Sequence, residues 1–154
     1  MTLNEGDQAP AFSLPADNGQ TVSLADYGGK KVVLYFYPKD DTPGCTKQAI
    51  GFTEKIKEFE AQGAVIIGIS PDKAAKHDKF IAKHNLAITL AADEEKETLE
   101  AYGVWVEKSM YGKKYMGVER TTFLIDESGK TNQIWRKVKV PGHVETVLTA
   151  VEAA

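Results

Sequence analysis

Two uninterrupted apolar runs, Lys31–Tyr37 (KVVLYFY) and Ala64–Ile69 (AVIIGI), constrain the fold of this chain more than any other feature. Neither alternates polar with apolar residues, so each reads as a strand buried on both faces, at the centre of a helix-covered sheet. Pro38 ends the first run, because proline has no N–H to give to a strand ladder. From Cys45 to Gln62, Ala49, Phe52, Ile56 and Phe59 recur at helical spacing, and Gly63 supplies a natural residue just past the helix end. Strand, amphipathic helix and strand make a βαβ crossover.

The remaining elements fit around that unit. Thr21–Leu24 alternates and suits a short edge strand, and Ser70-Pro71-Asp72 offers a helix start with Pro71 in the first turn. A polar helix through about His84 follows, then a short strand near Ile88–Leu90 and a helix over Glu94–Tyr102 that ends at Gly103. Val104–Val106 reads as a strand and Lys108–Gly117 (KSMYGKKYMG) as a loop. Thr121–Asp126 and Thr131–Val138 are strands joined at Glu127-Ser128-Gly129, and Val144, Val147, Leu148 and Val151 stripe a last helix. Two βα units ahead of a hairpin and a closing helix predict the α/β class: a thioredoxin-like sandwich, with a central mixed β-sheet flanked by helices. The 154 residues contain no repeat or linker, so one domain is expected over 1–154.

Composition narrows the function. Net charge is −3 and no basic tract stands out, which argues against nucleic acid as a partner. No apolar run approaches the ~20 residues that span a bilayer. The opening MTLNEGDQAPAFSLPADNG lacks the basic and apolar regions of a secretory signal. Together with a single cysteine, this leads us to expect a reducing, cytoplasmic setting.

That cysteine, Cys45, follows the turn Asp41-Thr42-Pro43-Gly44 and opens the first helix. Alone it can form no internal disulfide, and it lacks the four Cys or His ligands of a structural zinc site. First-turn N–H groups have no intrahelical partner and carry partial positive charge, so the thiolate is the favoured form there. Gly44 lets a backbone N–H approach a small substrate, Thr42 can aim its hydroxyl at the sulfur or at a bound oxygen, and Pro38 can wall off water. Free cysteine is often an inert core residue. Here polar neighbours (Lys39, Asp40, Asp41, Thr42, Lys47) and a place beyond the carboxyl end of a strand favour a reactive thiol. The reaction itself stays open at this level. Of the candidate bases for a Cys–His hydrolase, His77 and His84 lie on a charged helix and read as solvent-facing. His143, after Pro141-Gly142, reads as a cap or as facing water. Arg120, ahead of TTFLID, offers a positive charge in place of a base, its bland alternative being an exposed charge at a strand start.

The spacing Pro38-(x3)-Thr42-(x2)-Cys45 resembles the peroxidatic signature of the peroxiredoxins. The strings YFYPKDDTPGCT, MYGKKYMGVERTTFLID and WRKVKV are similar to the bacterioferritin-comigratory (PrxQ-type) subfamily, and the likeness runs from Gly6-Asp7-Gln8-Ala9-Pro10-Ala11-Phe12 to the last helix. The resemblance implies a peroxidase acting on hydrogen peroxide and organic hydroperoxides through a sulfenic acid on Cys45. It places the family's arginine at Arg120, holding the thiolate and orienting the peroxide, with Thr42 and the N–H groups of Gly44 and Cys45 stabilising the leaving oxygen, and Pro38 and Gly44 at the substrate. It calls for no metal and no cofactor, and leans toward a monomer in antioxidant defence. Subfamily members carry a resolving cysteine at one of two positions, which here fall on Ile50 and near Ile81. Recycling is therefore expected to use an external thiol (thioredoxin, glutaredoxin or glutathione) in a 1-Cys cycle.

A non-enzymatic thiol switch and a Cys-dependent hydrolase are the rival readings. Gly129-Lys130-Thr131 mimics a phosphate loop, but Leu124 stands where its first glycine belongs. Asp93-Glu94-Glu95 reads as a helix start, not a metal site. Trp105 and Trp135 read as packing, Tyr111 and Met116 as either packing or an apolar collar around the site, and Gln48 as a surface position.

Overall fold

The computed structural model describes residues 3–154; Met1 and Thr2, which open the leader and the expected 1–154 domain, lie outside the described residues. A five-stranded sheet is built from β3 (Lys31–Phe36), β4 (Ala64–Ser70), β5 (Thr89–Ala92), β8 (Thr121–Ile125) and β9 (Thr131–Trp135), in the order β5-β4-β3-β8-β9. β3 and β4 run parallel, as do β4 and β5, while β8 and β9 add antiparallel. The two apolar runs are thus neighbours at the centre, and the sheet is mixed as expected. Two smaller antiparallel pairs complete the strands: β1 (Ser13–Pro15) with β2 (Thr21–Ser23), and β6 (Trp105–Met110) with β7 (Lys113–Val118).

Alternation along β3 sorts the core into two layers. Val33, Tyr35 and Tyr37 join Phe52, Phe59, Phe80, Leu90 and Val147 under helices α1 (Pro43–Glu54), α2 (Ile56–Ala61), α3 (Ala74–His84) and α5 (His143–Ala153). Val32, Leu34 and Phe36 join Phe12, Leu99, Tyr102 and Phe123 on the other face, beside α4 (Glu97–Ala101). Gly68 on β4 is a packing requirement, since a Cβ there would lie 2.7 Å from Tyr35 Cζ and 2.8 Å from Leu90 Cδ2.

Several boundaries differ from the sequence reading. The helix expected over 45–62 is two helices, broken at Lys55, whose ψ of 8° leaves the helical range. Pro71 lies ahead of α3, not in it: Asp72 accepts from Ser70 Oγ and the Asp40 N–H, which makes a turn of the segment and delays the helix to Ala74. Left-handed Lys96 (φ 61°) likewise delays α4 to Glu97, and left-handed Lys137 (φ 48°) follows the early end of β9. Residues 108–117 are not a loop but most of the β6–β7 hairpin. Tyr111 (φ 52°) and Gly112 (φ 77°) both have positive φ, the mark of a type I′ turn. Met110, Tyr111, Tyr115 and Met116 are exposed on that hairpin, so neither of its faces shows the usual apolar alternation.

Candidate active site

Cys45 is the third residue of α1, after Pro43 and Gly44, and is 1% exposed. Thr42, extended at φ −91° and ψ 155°, precedes the helix. The segment from β8's approach brings Arg120 across the turn: its Nη2 donates to Cys45 Sγ at 3.1 Å, and its Nη1 donates to Gln48 Oε1 at 2.5 Å. Gln48 is one helical turn beyond Cys45, so one rigid guanidinium fork spans two residues of the same helix face. The arginine read from sequence as a substitute for a base is thus in contact with the thiol.

Gly44 explains how the fork fits, because a Cβ at this position would lie 3.3 Å from Arg120 Nη2. Pro38 is half-buried in the turn leading to α1. Thr42 differs from expectation: its hydroxyl donates to Lys39 O at 2.9 Å, which leaves its lone pairs, not its hydrogen, for the site. Gln48 is not a surface residue; it is fully buried, and its Nε2 has no hydrogen-bond partner among the described residues. Tyr35 Oη is also buried without a partner among the described residues. Burial first, then the nearby Cys45 and Asp40, push the Tyr35 hydroxyl well above its ordinary range, with Arg120 opposing, so it stays protonated. The Tyr35 ring stacks on Tyr37 (5.4 Å) and Phe52 (4.8 Å), in the same buried cluster as Cys45.

Two histidines are not where the sequence reading put them. His77 is fully buried on α3, where Nδ1 meets Asp40 Oδ2 at 2.6 Å and Nε2 meets Ala91 O at 3.0 Å. His143 does not face water either. Its Nε2 meets Thr122 Oγ1 at 2.8 Å, Trp135 lies edge-on at 5.9 Å, and burial, with Arg120 adding, lowers its pKa to about 4. Only His84 keeps partial exposure, paired with Asp41 at 3.1 Å. Lys83 and then His84 hold the Asp41 carboxyl below its usual range. None of these three rings is bonded to Cys45.

Donor atoms of Asp40, Asp72 and His77 converge within 4.8 Å, a spacing that suits a metal ion. Their hydrogen bonds to one another and to Tyr37 and Ser70 already engage those atoms. Tyr111, 98% exposed at its hairpin tip, forms no collar around Cys45. Trp105 and Trp135 are half-buried against the two core layers, as packing residues. A surface cleft of about 660 Å³, lined by Phe12–Pro15 and Asp93–Glu95, excludes Cys45, so chemistry and not size identifies the site. The arrangement at Cys45 can hold a thiolate beside a cation and present buried donors to a small oxygen-bearing substrate.

The comparisons with known proteins agree with that chemistry. Residues 5–134 match the AhpC/TSA family. The chain is 51% identical to peroxiredoxin Bcp of Bacillus subtilis over 99% of this chain and 97% of that one. It is 44% identical to peroxiredoxin Bcp of Escherichia coli, over 95% and 94% respectively. Among solved structures, a cysteine-to-serine mutant of Xylella fastidiosa PrxQ superimposes with a TM-score of 0.94 at 36% identity, covering 99% of this chain and 98% of that one. Xanthomonas campestris peroxiredoxin Q does so with 0.89 at 43% identity, covering 92% and 90%.

Proposed function

We infer the reaction from the premise that the chain belongs to the AhpC/TSA family, among the peroxiredoxins, and is a thiol-dependent peroxidase. We propose that Cys45 is its peroxidatic nucleophile. The Cys45 thiolate attacks the terminal oxygen of a hydroperoxide; the S–O bond forms as the O–O bond breaks, and the sulfur gives up two electrons. The leaving oxygen takes a proton and departs as water or an alcohol, leaving sulfenic acid on Cys45. Arg120 holds the thiolate and orients the peroxide, the N–H groups of Gly44 and Cys45 stabilise charge on the leaving oxygen, and Thr42, whose hydrogen is held by Lys39 O, accepts the O–H of the incoming peroxide. The observation that carries this reading is the 3.1 Å contact of Arg120 Nη2 with Cys45 Sγ in the first turn of α1.

Cys45 is the chain's only cysteine, and Ile50 and Ile81 pack against the core. The sulfenic acid therefore awaits an external thiol, which attacks the sulfur and expels water; a second thiol then frees Cys45 from the mixed disulfide. At 1% exposure, the sulfur is out of reach of a bulky thiol until the first turn of α1 opens. We take hydrogen peroxide and small organic hydroperoxides as substrates, thioredoxin, glutaredoxin or glutathione as the reductant, and a single-domain monomer over 1–154 as the working unit. The lone thiol suits the reducing cytoplasm.

The test is steady-state peroxide consumption with each reductant system in turn. Sustained turnover with at least one, abolished in Cys45→Ser, is expected. Oxidation that stops after one equivalent with every reductant would instead describe a thiol switch.

A further inference from the structure

We propose that His77 is a positioning residue for the peroxide-binding turn, acting through Asp40; this rests on the peroxidase reading of Cys45 and extends it to a residue outside the site. The turn runs from Pro38 to Gly44 and carries the groups assigned to the peroxide. Asp40 lies between Pro38 and Thr42, yet its side chain points away from solvent and is 0% exposed, as is that of His77. A buried carboxylate is costly unless its oxygens are bonded, and here both are. Oδ1 accepts from Tyr37 Oη at 2.5 Å, and Oδ2 lies 2.6 Å from His77 Nδ1. His77 Nε2 is 3.0 Å from the carbonyl of Ala91, which can only accept, so Nε2 carries a hydrogen. The proton on the Asp40–His77 line is then shared by a pair that is neutral as a whole, and burial in this form carries no uncompensated charge.

The pair fastens the turn to β5 through Ala91 and to α3 through His77. The Asp40 N–H adds a bond to Asp72 Oδ2 at 2.7 Å, itself braced by Ser70 and Lys76. The next residue, Asp41, is left-handed at φ 63°, a conformation that a non-glycine residue adopts at a cost. Its carboxylate is gripped by Lys83 at 2.8 Å and His84 at 3.1 Å, from the C-terminal end of α3. One helix thus holds two successive residues of the turn, through His77 on the buried side and through Lys83 and His84 on the outer side. Arg120 reaches Cys45 from the approach to β8 and is braced by Gln48, so the thiol's charge partner does not depend on this clamp. Loosening the clamp should displace the peroxide-binding groups while leaving the thiolate beside Arg120.

That separation gives the test. Reduced wild type, His77→Gln, Asp40→Asn and the double variant are each mixed with hydrogen peroxide and, separately, with iodoacetamide, whose carbon the thiolate attacks with loss of iodide and without the peroxide-binding groups. Each single variant should lose at least about tenfold in the peroxide rate constant while its alkylation rate stays within about twofold of wild type. The double variant should lose less than the product of the two single losses, because the two residues act as one unit. A folded His77→Gln protein that reacts with peroxide at the wild-type rate would overturn the assignment, as would equal losses in both reactions. If His77→Gln does not fold, the near-isosteric Asp40→Asn is judged by the same two rates. Wild type that peroxide does not oxidise would remove the peroxidase reading itself, and this assignment with it.

Discussion

Arg120→Met removes the cation in contact with Cys45 while keeping an unbranched side chain. Opposite unit charges 3.1 Å apart attract by roughly 5 kcal/mol at an effective dielectric constant of about 20. Arg120 is only half-buried, so water screens part of that. A hydrogen bond to a charged group is worth about 1.5–3 kcal/mol net. Taking about 2 kcal/mol as the loss of thiolate stabilisation, the peroxide rate constant at neutral pH should fall roughly thirtyfold. Arg120→Lys should land between the two, because an ammonium replaces the charge but not the fork that reaches Gln48 and Cys45 together. Gln48→Ala, which leaves Nη1 without its acceptor, should cost several-fold through misplacement of the fork. Stopped-flow mixing of reduced protein with hydrogen peroxide, followed by intrinsic fluorescence, reads all three. An Arg120→Met protein with wild-type circular dichroism and a rate within about twofold of wild type would refute the reasoning.

Two further predictions concern stability. Gly68→Ala places a methyl group 2.7 Å from the Tyr35 ring, so overpacking should cost about 1–3 kcal/mol in urea unfolding and slow peroxide oxidation by shifting the ring that packs in the Cys45 cluster; unchanged stability would contradict the packing described. The pKa of His143 falls from the ordinary 6.5 to about 4 in the folded chain, so the unfolded chain binds the proton first as pH drops. Its contribution to stability is complete above about pH 6.5 and is lost between 6.5 and 4, by at most about 3 kcal/mol and about 2 after solvent screening. His143→Leu should flatten the pH dependence in that window, and a variant that keeps the wild-type slope would count against it.

The strands β3 and β4 were legible because continuous apolar runs have one common use in an α/β fold, and Cys45 because its turn and helix start are local in sequence. The Arg120 contact was anticipated through resemblance; periodicity cannot bring together residues 75 apart. The burial of Gln48 and His77 was not legible, because both side chains are polar, one on an amphipathic helix and one on a polar helix, and each meets a partner distant in sequence, Arg120 for one and Asp40 for the other. The only local hint was that Gln48 falls one turn from Cys45, on its face of the helix. His143 misled for a similar reason: Thr122, across the sheet, takes its Nε2. The β6–β7 hairpin escaped because its exposed Met and Tyr side chains carry no core-facing pattern and a Tyr-Gly turn replaces the Asn-Gly or Asp-Gly signal.

On this mechanism peroxide oxidises Cys45 and the reaction stops at sulfenic acid when no other thiol is present. Intact-mass measurement of the reduced protein, treated with one equivalent of hydrogen peroxide at neutral pH, tests it directly. A gain of one oxygen atom, located on Cys45, reversed by added thiol and absent in Cys45→Ser, is expected. A thiol that stays unmodified, or an oxygen located on a methionine with Cys45 intact, would contradict it.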